Sequence, residues 1–271
     1  MDTATPATTR PIRVDAALIV ARDLAFSVPA ASGRLPILRG VSLEIAAGEA
    51  VGIVGPSGSG KTSLLMLLAG LERATGGTLS VAGQSLSTMD EDALARFRRD
   101  NVGIVFQAFH LIPTMTALEN VAVPLEFAGR ADAFDRAAEA LGDVGLAHRL
   151  DHYPGQLSGG EQQRTALARA MAAQPSLILA DEPTGNLDRA TGAAVMDLLF
   201  ASRDRGTTLV LITHDPALAE RCDRQIRIED GLIVRQIEDG LSARGIENGL
   251  SARGIEDGLS ARGIEDGLST R

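Results

Sequence analysis

Residues 50–62 read AVGIVGPSGSGKT, and this stretch decides the fold. Its apolar half, Ala50–Val54, is typical of a parallel strand that is buried on both faces. A glycine-rich loop follows directly, and the pattern SLLMLLAGL at 63–71 predicts a helix that is buried on most sides. Further short apolar runs alternate with helical patterns along the chain, and they lie at 102–106, 177–180 and 208–212. This order predicts an α/β fold with a mainly parallel sheet.

The composition narrows the class of protein. The chain has 271 residues, of which 45% are hydrophobic, so it can bury a core of normal size. A net charge of −9 and a pI near 5.0 argue against a nucleic-acid partner, because a phosphate backbone favours a basic surface. The single cysteine, Cys222, excludes an intramolecular disulfide, and the first residues lack the apolar core of a signal peptide. We therefore expect a cytoplasmic protein.

The glycine-rich loop matches the phosphate-binding pattern G-x-x-x-x-G-K-[ST], with an apolar strand before it and a helix after it. Its glycines allow backbone N–H groups to surround phosphate oxygens, and the helix adds its N-terminal dipole. Lys61 is the only lysine of the chain, whereas the other 25 of the 26 basic residues are arginine. A compact ammonium fits among phosphate oxygens better than a planar guanidinium, so we expect Lys61 to reach the β- and γ-phosphates. The residues predicted to bind the nucleotide are Gly55, Pro56, Ser57, Gly58, Ser59, Gly60, Lys61, Thr62 and Ser63.

A phosphate-binding loop alone leaves open kinases, GTPases, helicases and transport ATPases, and a second motif decides among them. Residues 157–164 read LSGGEQQR, which resembles the signature of the ATP-binding-cassette (ABC) family. Other elements of that family follow in the expected order, namely Gln107 after VGIVF, LILADEP at 177–183, GNLD at 185–188 and THD at 213–215. The resemblance covers about residues 15–236. It implies a P-loop NTPase core with an N-terminal antiparallel β subdomain and an inserted α-helical subdomain.

The resemblance implies specific roles for residues of the catalytic centre. Thr62 and Asp181 are expected to hold Mg²⁺, which bridges the β- and γ-phosphates of ATP. Glu182 resembles the general base that activates the attacking water, and His214 the residue that contacts the γ-phosphate and positions Glu182. Gln107 resembles the residue that contacts Mg²⁺ or the water and reports the nucleotide state to the helical subdomain. We therefore expect ATP as substrate, Mg²⁺ as cofactor and an ATPase reaction.

The signature precedes a helical pattern, so its backbone N–H groups and the Ser158 hydroxyl predict a second anion-binding helix start. In the family this element contacts the ATP that is held by another subunit, and Asp188 lies at the same interface. The resemblance thus implies a head-to-tail homodimer with two ATPs between the subunits. The residues expected to make the contact across the dimer are Leu157, Ser158, Gly159, Gly160, Glu161 and Gln162.

One position departs from the family pattern. Many members stack an aromatic ring on adenine just before the first core strand, but the aligned residue here is Val28. Either Phe26 takes that role or adenine is held by aliphatic contacts, and ATP is expected over GTP. His148 and His152 have a spacing that can ligate metal on a helix, but the neighbouring Pro154 indicates a helix end, so no metal is expected there.

The domain bounds follow from these patterns. Residues 1–13 are predicted to be loose, residues 14–236 to form the ATPase domain, and residues from about 108 to 165 to form its helical subdomain. From Gly240 onward the nine-residue unit GLSARGIED repeats, and Gly231–Asp239 (GLIVRQIED) is a diverged first copy. Because the unit has few large apolar residues and two glycines, residues 237–271 are predicted to be a disordered or weakly helical extension.

The sequence at 106–125, together with EPTGNLD at 182–188, resembles the branch that contains lipoprotein-releasing and macrolide-efflux ATPases and the cell-division cassette. This resemblance implies an ATPase subunit that drives a separate integral membrane permease from the cytoplasmic face of the bacterial inner membrane. Direct membrane insertion is not expected, because polar residues interrupt the uncharged stretch 101–118. An importer ATPase, a regulatory cassette without transport and a non-enzymatic nucleotide-binding scaffold remain alternatives.

Overall fold

The computed structural model describes residues 17–31 and 33–238. The predictions for residues 1–13 and for the repeats from Gly240 to Arg271 concern residues outside this part of the chain. The strands are β1 (Ala17–Ala30), β2 (Gly33–Ala46), β3 (Ala50–Val54), β4 (Gly76–Val81), β5 (Gln84–Ser85), β6 (Val102–Phe106), β7 (Leu177–Asp181), β8 (Thr208–Ile212), β9 (Arg224–Glu229) and β10 (Leu232–Glu238). The helices are α1 (Lys61–Leu68), α2 (Glu91–Asn101), α3 (Ala117–Phe127), α4 (Ala133–Asp143), α5 (Gly159–Met171), α6 (Arg189–Asp204) and α7 (Pro216–Ala219).

Two sheets form the β structure. The first has the order β2-β1-β4-β5 and is antiparallel throughout. The second has the order β10-β9-β3-β8-β7-β6, in which β10 alone runs antiparallel to its neighbour. The predicted α/β fold, with a mainly parallel sheet and an antiparallel N-terminal sheet, is therefore confirmed. The first sheet packs with the strands β3, β7, β8 and β9 in one buried cluster that also contains the leucines of α1.

The register of the parallel sheet aligns the ends of its strands. Phe106 of β6 pairs with Asp181 of β7, and Asp181 pairs with Ile212 of β8. Ile212 in turn pairs with Ile53 of β3, one residue before the strand ends. Because the carboxyl ends of parallel strands lie at one edge of a sheet, the loops that follow these strands start side by side.

Helix α1 differs slightly from the helix predicted over 63–71. It begins two residues earlier, at Lys61, and its last helical residue is Leu68. Gly70 then adopts the left-handed conformation with φ +65°, which only glycine enters without steric cost, and this ends the helix. All four leucines of α1 are buried, as the apolar pattern predicts.

Helices α3, α4 and α5 form the helical subdomain around their own buried cluster. Thr116 and Glu119 form a capping box that fixes the start of α3. Helix α5 continues to Met171, six residues beyond the subdomain boundary predicted near 165. Its last turn lies against β6 so closely that a Cβ atom at Gly103 would be 2.3 Å from the carbonyl oxygen of Ala170. Helix α5 thus connects the helical subdomain with the sheet.

Strands β9 and β10 form a hairpin. Its two turn residues, Asp230 and Gly231, have φ angles of +48° and +75°, and an Asp-Gly pair with positive φ at both positions favours a tight hairpin turn. Backbone pairing continues to Glu238, opposite Arg224. The boundary predicted after residue 236 therefore falls inside β10, because the ladder with β9 extends two residues further. Among the helices of the described residues, none combines the length and apolar character needed to cross a membrane.

Candidate active site

The loops at the carboxyl edge of the parallel sheet enclose a cavity of about 530 Å³. Most residues predicted for nucleotide binding, for Mg²⁺ and for catalysis line this cavity. They are Ser57, Gly58, Gly60, Lys61, Thr62, Ser63, Gln107, Asp181, Glu182 and His214, and they are joined by Ile37, Gly185 and Ile212. Of the predicted nucleotide-binding residues, Gly55, Pro56 and Ser59 do not line this cavity. The parallel register thus brings together segments that are up to 157 residues apart in the sequence, from Ser57 to His214.

The start of α1 is built to present backbone N–H groups. Gly60 has φ +100°, and a Cβ atom there would lie 2.8 Å from Leu38 Cδ2, so the position requires glycine. Within the described residues no side chain caps this helix, in contrast to α2, α3, α5 and α6. The N–H groups of the first turn have no partner inside a helix, so they are available to an anion.

Lys61 lies across the entrance of the same loop. Its Nζ donates to the carbonyl oxygens of Gly55 at 3.0 Å and Pro56 at 2.8 Å. An ammonium group has three donors, so one remains for a ligand oxygen. The two carbonyls therefore hold the positive charge at the helix start, where the macrodipole also favours an anion.

Thr62 and Asp181 meet at the edge of the cavity. The hydroxyl of Thr62 donates to Asp181 Oδ2 at 2.9 Å. Burial raises the pKa of Asp181, the hydrogen bond from Thr62 lowers it, and the nearby charge of Glu182 raises it further. A hydroxyl and a partly buried carboxylate are oxygen donors that suit Mg²⁺, which is commonly held by one or two protein ligands and by phosphate oxygens. Across 17–31 and 33–238 no group of three or more His, Cys, Asp or Glu side chains forms a metal site by itself. The donor set thus fits Mg²⁺ that is bound together with a nucleotide.

Glu182 and His214 form a close pair. The Oε2 atom of Glu182 lies 2.7 Å from Nδ1 of His214, and this contact with the carboxylate raises the pKa of the imidazole. The Glu182 side chain is 21% exposed, whereas that of His214 is 77% exposed. Glu182 also has φ +47°, which is strained for a residue with a Cβ atom. Its N–H donates to the carbonyl of Ile212, and its own carbonyl accepts from Gly185, so the surrounding loops impose the strained conformation.

Gln107 lines the cavity, and its position is fixed by hydrogen bonds with Asn186. Its Nε2 donates to Asn186 Oδ1 at 3.3 Å, and Asn186 Nδ2 donates to the carbonyl of Gln107 at 3.0 Å. A Cβ atom at Gly185 would lie 2.7 Å from Nε2 of Gln107, so only glycine allows this approach. The sequence motif contains Asn186 but gives it no role. In the structure, Asn186 fixes the position of Gln107 through these two hydrogen bonds.

The signature residues line a second, separate cavity of about 460 Å³. Ser158 and Glu161 form a capping box at the start of α5, in which the Ser158 hydroxyl accepts from the Glu161 N–H and donates to its carboxylate at 2.9 Å. Arg149 donates to the other carboxylate oxygen at 2.8 Å. These contacts, with the backbone N–H of Ser158 contributing most, lower the pKa of Glu161 to about 2. The hydroxyl that was expected to face an anion is thus engaged by Glu161, because the capping box satisfies it locally.

The rest of the signature divides between the cavity and the core. Gly159 and Gly160 line the cavity, while Leu157 is buried and its carbonyl accepts from Gln162 Nε2 at 3.1 Å. A Cβ atom at Gly160 would lie 2.3 Å from Thr191 Cγ2, so the first turn of α6 requires glycine here.

Asp188 also lines the second cavity, and it caps α6. Its carboxylate accepts from the N–H groups of Ala190 and Thr191 at 3.0 Å and from the Thr191 hydroxyl, which lowers its pKa. Asp188 and the signature therefore form one surface of the described chain, held together by the contact between α5 and α6.

The burial of Phe26 bears on the two alternatives for adenine. The side chain of Phe26 is only 8% exposed and belongs to the main buried cluster, so it is not available to stack on a base. Val28 is partly buried against the same cluster, and Ile37 lines the first cavity. Aliphatic contact with the base therefore stays the prediction for this chain.

Two residues of α5 to which the sequence analysis gives no role also contact these loops. Gln163 is fully buried and donates to the carbonyls of Phe106 and Pro183, and Arg169 donates to those of Phe109 and His110. A sequence signal for Gln163 does exist. It occupies an interior position of α5, three, four and seven residues before the buried residues Ala166, Leu167 and Ala170, where an apolar residue is expected.

Comparison with known proteins gives consistent results. Residues 38–185 match the family model described as ABC transporter. The chain is 51% identical over 217 residues to the uncharacterized ABC transporter ATP-binding protein YbbA of Escherichia coli K12, which covers 79% of the chain and 95% of YbbA. It is 49% identical over 220 residues to the macrolide export ATP-binding/permease protein MacB of Shigella flexneri, which covers 80% of the chain but only 34% of MacB. The chain thus spans about a third of the length of MacB.

Solved structures agree with these relatives. The dimeric structure of MJ0796, a bacterial ABC transporter cassette, matches with a TM-score of 0.77 and 40% identity, covering 81% of this chain and 98% of that one. A dimeric post-hydrolysis state of MJ0796 bound to ADP and Pi matches with the same TM-score and 39% identity.

Replacing Glu182 by Gln removes the carboxylate that raises the pKa of His214. We expect the NMR titration midpoint of His214 to fall from its raised value toward about 6.5, the ordinary value for histidine. The sign follows from linkage: the pair stabilises protonated His214, so its contribution is complete below the unfolded pKa and is lost as pH rises through the raised folded pKa. The matched control, Glu139→Gln on the exposed face of α4, should leave the midpoint unchanged. An unchanged midpoint in Glu182→Gln would contradict the pairing.

Proposed function

The chain belongs to the ABC transporter family and is an ATP-binding subunit that hydrolyses ATP, and from this premise we propose that it drives a separate membrane permease of the efflux or lipoprotein-release type. The observation that carries the proposal is the single cavity in which the phosphate-binding loop, the Thr62–Asp181 pair and the Glu182–His214 pair meet. The name of the relative MacB, a macrolide export protein, supports the exporter type.

In the proposed reaction, the start of α1 and Lys61 bind the β- and γ-phosphates of ATP. The unpaired N–H groups of the first turn and the remaining donor of Lys61 provide positive potential where the γ-phosphate gains charge in the transition state. Thr62 and Asp181 would hold Mg²⁺, which supplies electrostatic stabilisation of the phosphate oxygens. Gln107 donates from Nε2 to Asn186, so its amide oxygen is the atom proposed to contact that ion.

Glu182 is proposed to orient the attacking water and to accept its proton. Its side chain is mostly buried beside the cavity, and its strained backbone holds the carboxylate in one direction. His214, exposed at the cavity rim, keeps Glu182 in place through the 2.7 Å contact and can donate from its other ring nitrogen to a γ-phosphate oxygen.

We propose that the second cavity completes the site in a homodimer. Gly159 and Gly160 present N–H groups at the start of α5, and Asp188 borders them, but this cavity is separate from the one that holds Lys61. A head-to-tail pair would bring the signature of one protomer to the ATP of its partner. The structures of MJ0796, which are dimeric, support the formation of a dimer. Closure on ATP and opening after hydrolysis would then move the permease, with the chain peripheral at the cytoplasmic face of the bacterial inner membrane.

Lys61→Ala should reduce ATP hydrolysis by at least about 100-fold, because it removes the charge that stabilises the transferred phosphoryl group. Lys61→Arg should lose most of the activity as well, since a planar guanidinium is wider than an ammonium group and has fixed donor directions. Phosphate release measured with saturating Mg-ATP tests both variants. Arg96→Ala, which removes an exposed charge from α2, is the control and should retain wild-type turnover. Wild-type rates in Lys61→Ala would refute the assignment of the phosphate-binding loop.

Glu182→Gln should bind ATP, hydrolyse it very slowly and accumulate as a closed dimer. Light scattering with ATP and Mg²⁺ should report twice the monomer mass, and ADP should restore the monomer. The double variant Lys61→Ala/Glu182→Gln, which cannot hold the phosphates, should remain monomeric under both conditions. A monomeric Glu182→Gln protein with ATP bound would argue against the head-to-tail dimer.

The partner can be identified by purifying tagged Glu182→Gln protein with ATP from native membranes and sequencing the proteins that accompany it by mass spectrometry. We expect a permease with few membrane spans and a large external domain, absent from the same preparation of Lys61→Ala/Glu182→Gln. A many-span importer permease, or no membrane protein, would overturn the exporter assignment while leaving the ATPase activity intact.

A further inference from the structure

Gln163 lies at the point where α5 meets the two catalytic loops. Its side chain is fully buried, and Nε2 donates to the carbonyl of Phe106 at 3.3 Å and to that of Pro183 at 2.6 Å. Phe106 directly precedes Gln107, and Pro183 directly follows Glu182. One buried amide therefore bridges the backbone on either side of the two residues proposed to handle the attacking water.

The hydrogen bonds of Gln163 lie at the point where backbone pairing between β6 and β7 ends. The ladder between β6 and β7 ends with the pair Phe106 and Asp181, and a loop follows each of the two strands. At this point Gln163, which belongs to α5 and not to the sheet, joins the two segments by donating to the carbonyls of Phe106 and Pro183. The relative position of Gln107 and Glu182 thus depends on α5 as well as on strand pairing.

The burial of the polar Gln163 side chain lowers the stability of the fold, and an apolar side chain at this position would not have this effect. Its Oε1 atom is buried and, among the described residues, has no hydrogen-bond partner. A buried acceptor without a partner destabilises a fold, whereas methionine would occupy a similar volume without this penalty. The amide is therefore poorly explained by packing and well explained by its two donated bonds.

A second residue of the same helix holds the first part of the loop that begins at Gln107. Arg169 donates from Nη1 to the carbonyl of His110 at 2.7 Å and from Nη2 to that of Phe109 at 3.0 Å. Burial lowers the pKa of its guanidinium. Residues 107–110 are thus held at both ends by α5, the helix whose first residues belong to the signature.

We propose that Gln163 is a positioning residue for ATP hydrolysis, which couples the signature at the start of α5 to Gln107 and Glu182 of the same protomer. The inference rests on the proposed function, because it assigns to α5 the contact with the partner's ATP. When that contact shifts α5, the amide of Gln163 moves the backbone on both sides of the attacking water. ATP binding itself depends on α1 and Lys61, which α5 does not hold, so the coupling acts on turnover and leaves affinity unchanged.

Gln163→Met tests this role, because it removes the donor at nearly constant volume. We expect kcat to fall about 10- to 100-fold, while the Kd for the fluorescent nucleotide mant-ATP changes less than about threefold. In the Glu182→Gln background the same substitution should leave the ATP-dependent dimer intact by light scattering. Gln163→Asn, which keeps an amide but shortens it by one methylene, should show the same division between kcat and Kd if the methionine variant does not fold.

Thr208→Val is the matched control, because it also removes a buried side-chain hydrogen bond to the backbone at nearly constant volume. Thr208 begins β8, at the end of the strand opposite to the catalytic loops, and its hydroxyl accepts from the N–H of Gly48 at 2.8 Å. It should lower Tm at least as much as Gln163→Met yet retain kcat within about threefold of wild type. Equal losses of kcat in the two variants, or a Kd that rises in parallel with the loss of kcat, would reduce Gln163 to a structural role and overturn the inference.

The proposed function and this inference fail in different ways. If wild-type protein and Lys61→Ala show the same phosphate release, the function is wrong. If the wild type is an active ATPase and Gln163→Met retains its kcat, only the positioning role is wrong.

Discussion

The parallel register of β3, β8, β7 and β6 is the constraint on which the site depends. It aligns Ile53, Ile212, Asp181 and Phe106 across four strands, so the loops after them open at the same edge. Charged and polar residues that would be costly inside the sheet lie in those loops instead, where a cavity can receive a phosphate group. The hydrogen bond from Thr62 to Asp181 and the contact between Glu182 and His214 both follow from this alignment.

The helices that begin at the two cavities differ in whether a side chain caps their first N–H groups. Helices α5 and α6 satisfy their first N–H groups with Ser158 and Asp188, whereas α1 begins at a left-handed glycine without a side-chain cap. A capped start is stable by itself, and an uncapped start next to an ammonium group is suited to an anion. The local capping chemistry thus distinguishes the helix that binds phosphate within the protomer from the one proposed to meet the partner's nucleotide, where Ser158 is already held by Glu161.

Helix α5 links these parts mechanically. Its first turn carries the signature, its middle holds the loops at Phe106 and Pro183 through Gln163, and its last turn touches Gly103 of β6. The helix belongs to the cluster of the helical subdomain and, through Leu167 and Ala170, to a cluster of the sheet. Since it is packed on both sides, displacement of its start cannot be absorbed locally, because close-packed interiors transmit strain.

The sequence by itself determined the fold class, the phosphate-binding loop and most of the residues that line the first cavity, because a strand, a glycine turn and a helix start are encoded by neighbours in the chain. The tertiary structure alone decided which of these residues touch. It engaged the Ser158 hydroxyl with Glu161, buried Phe26 in the core, anchored Gln107 to Asn186 and gave Gln163 two carbonyl partners. The longer-range contacts join residues between 20 and 79 positions apart, and only strand register and helix packing bring such partners within bonding distance.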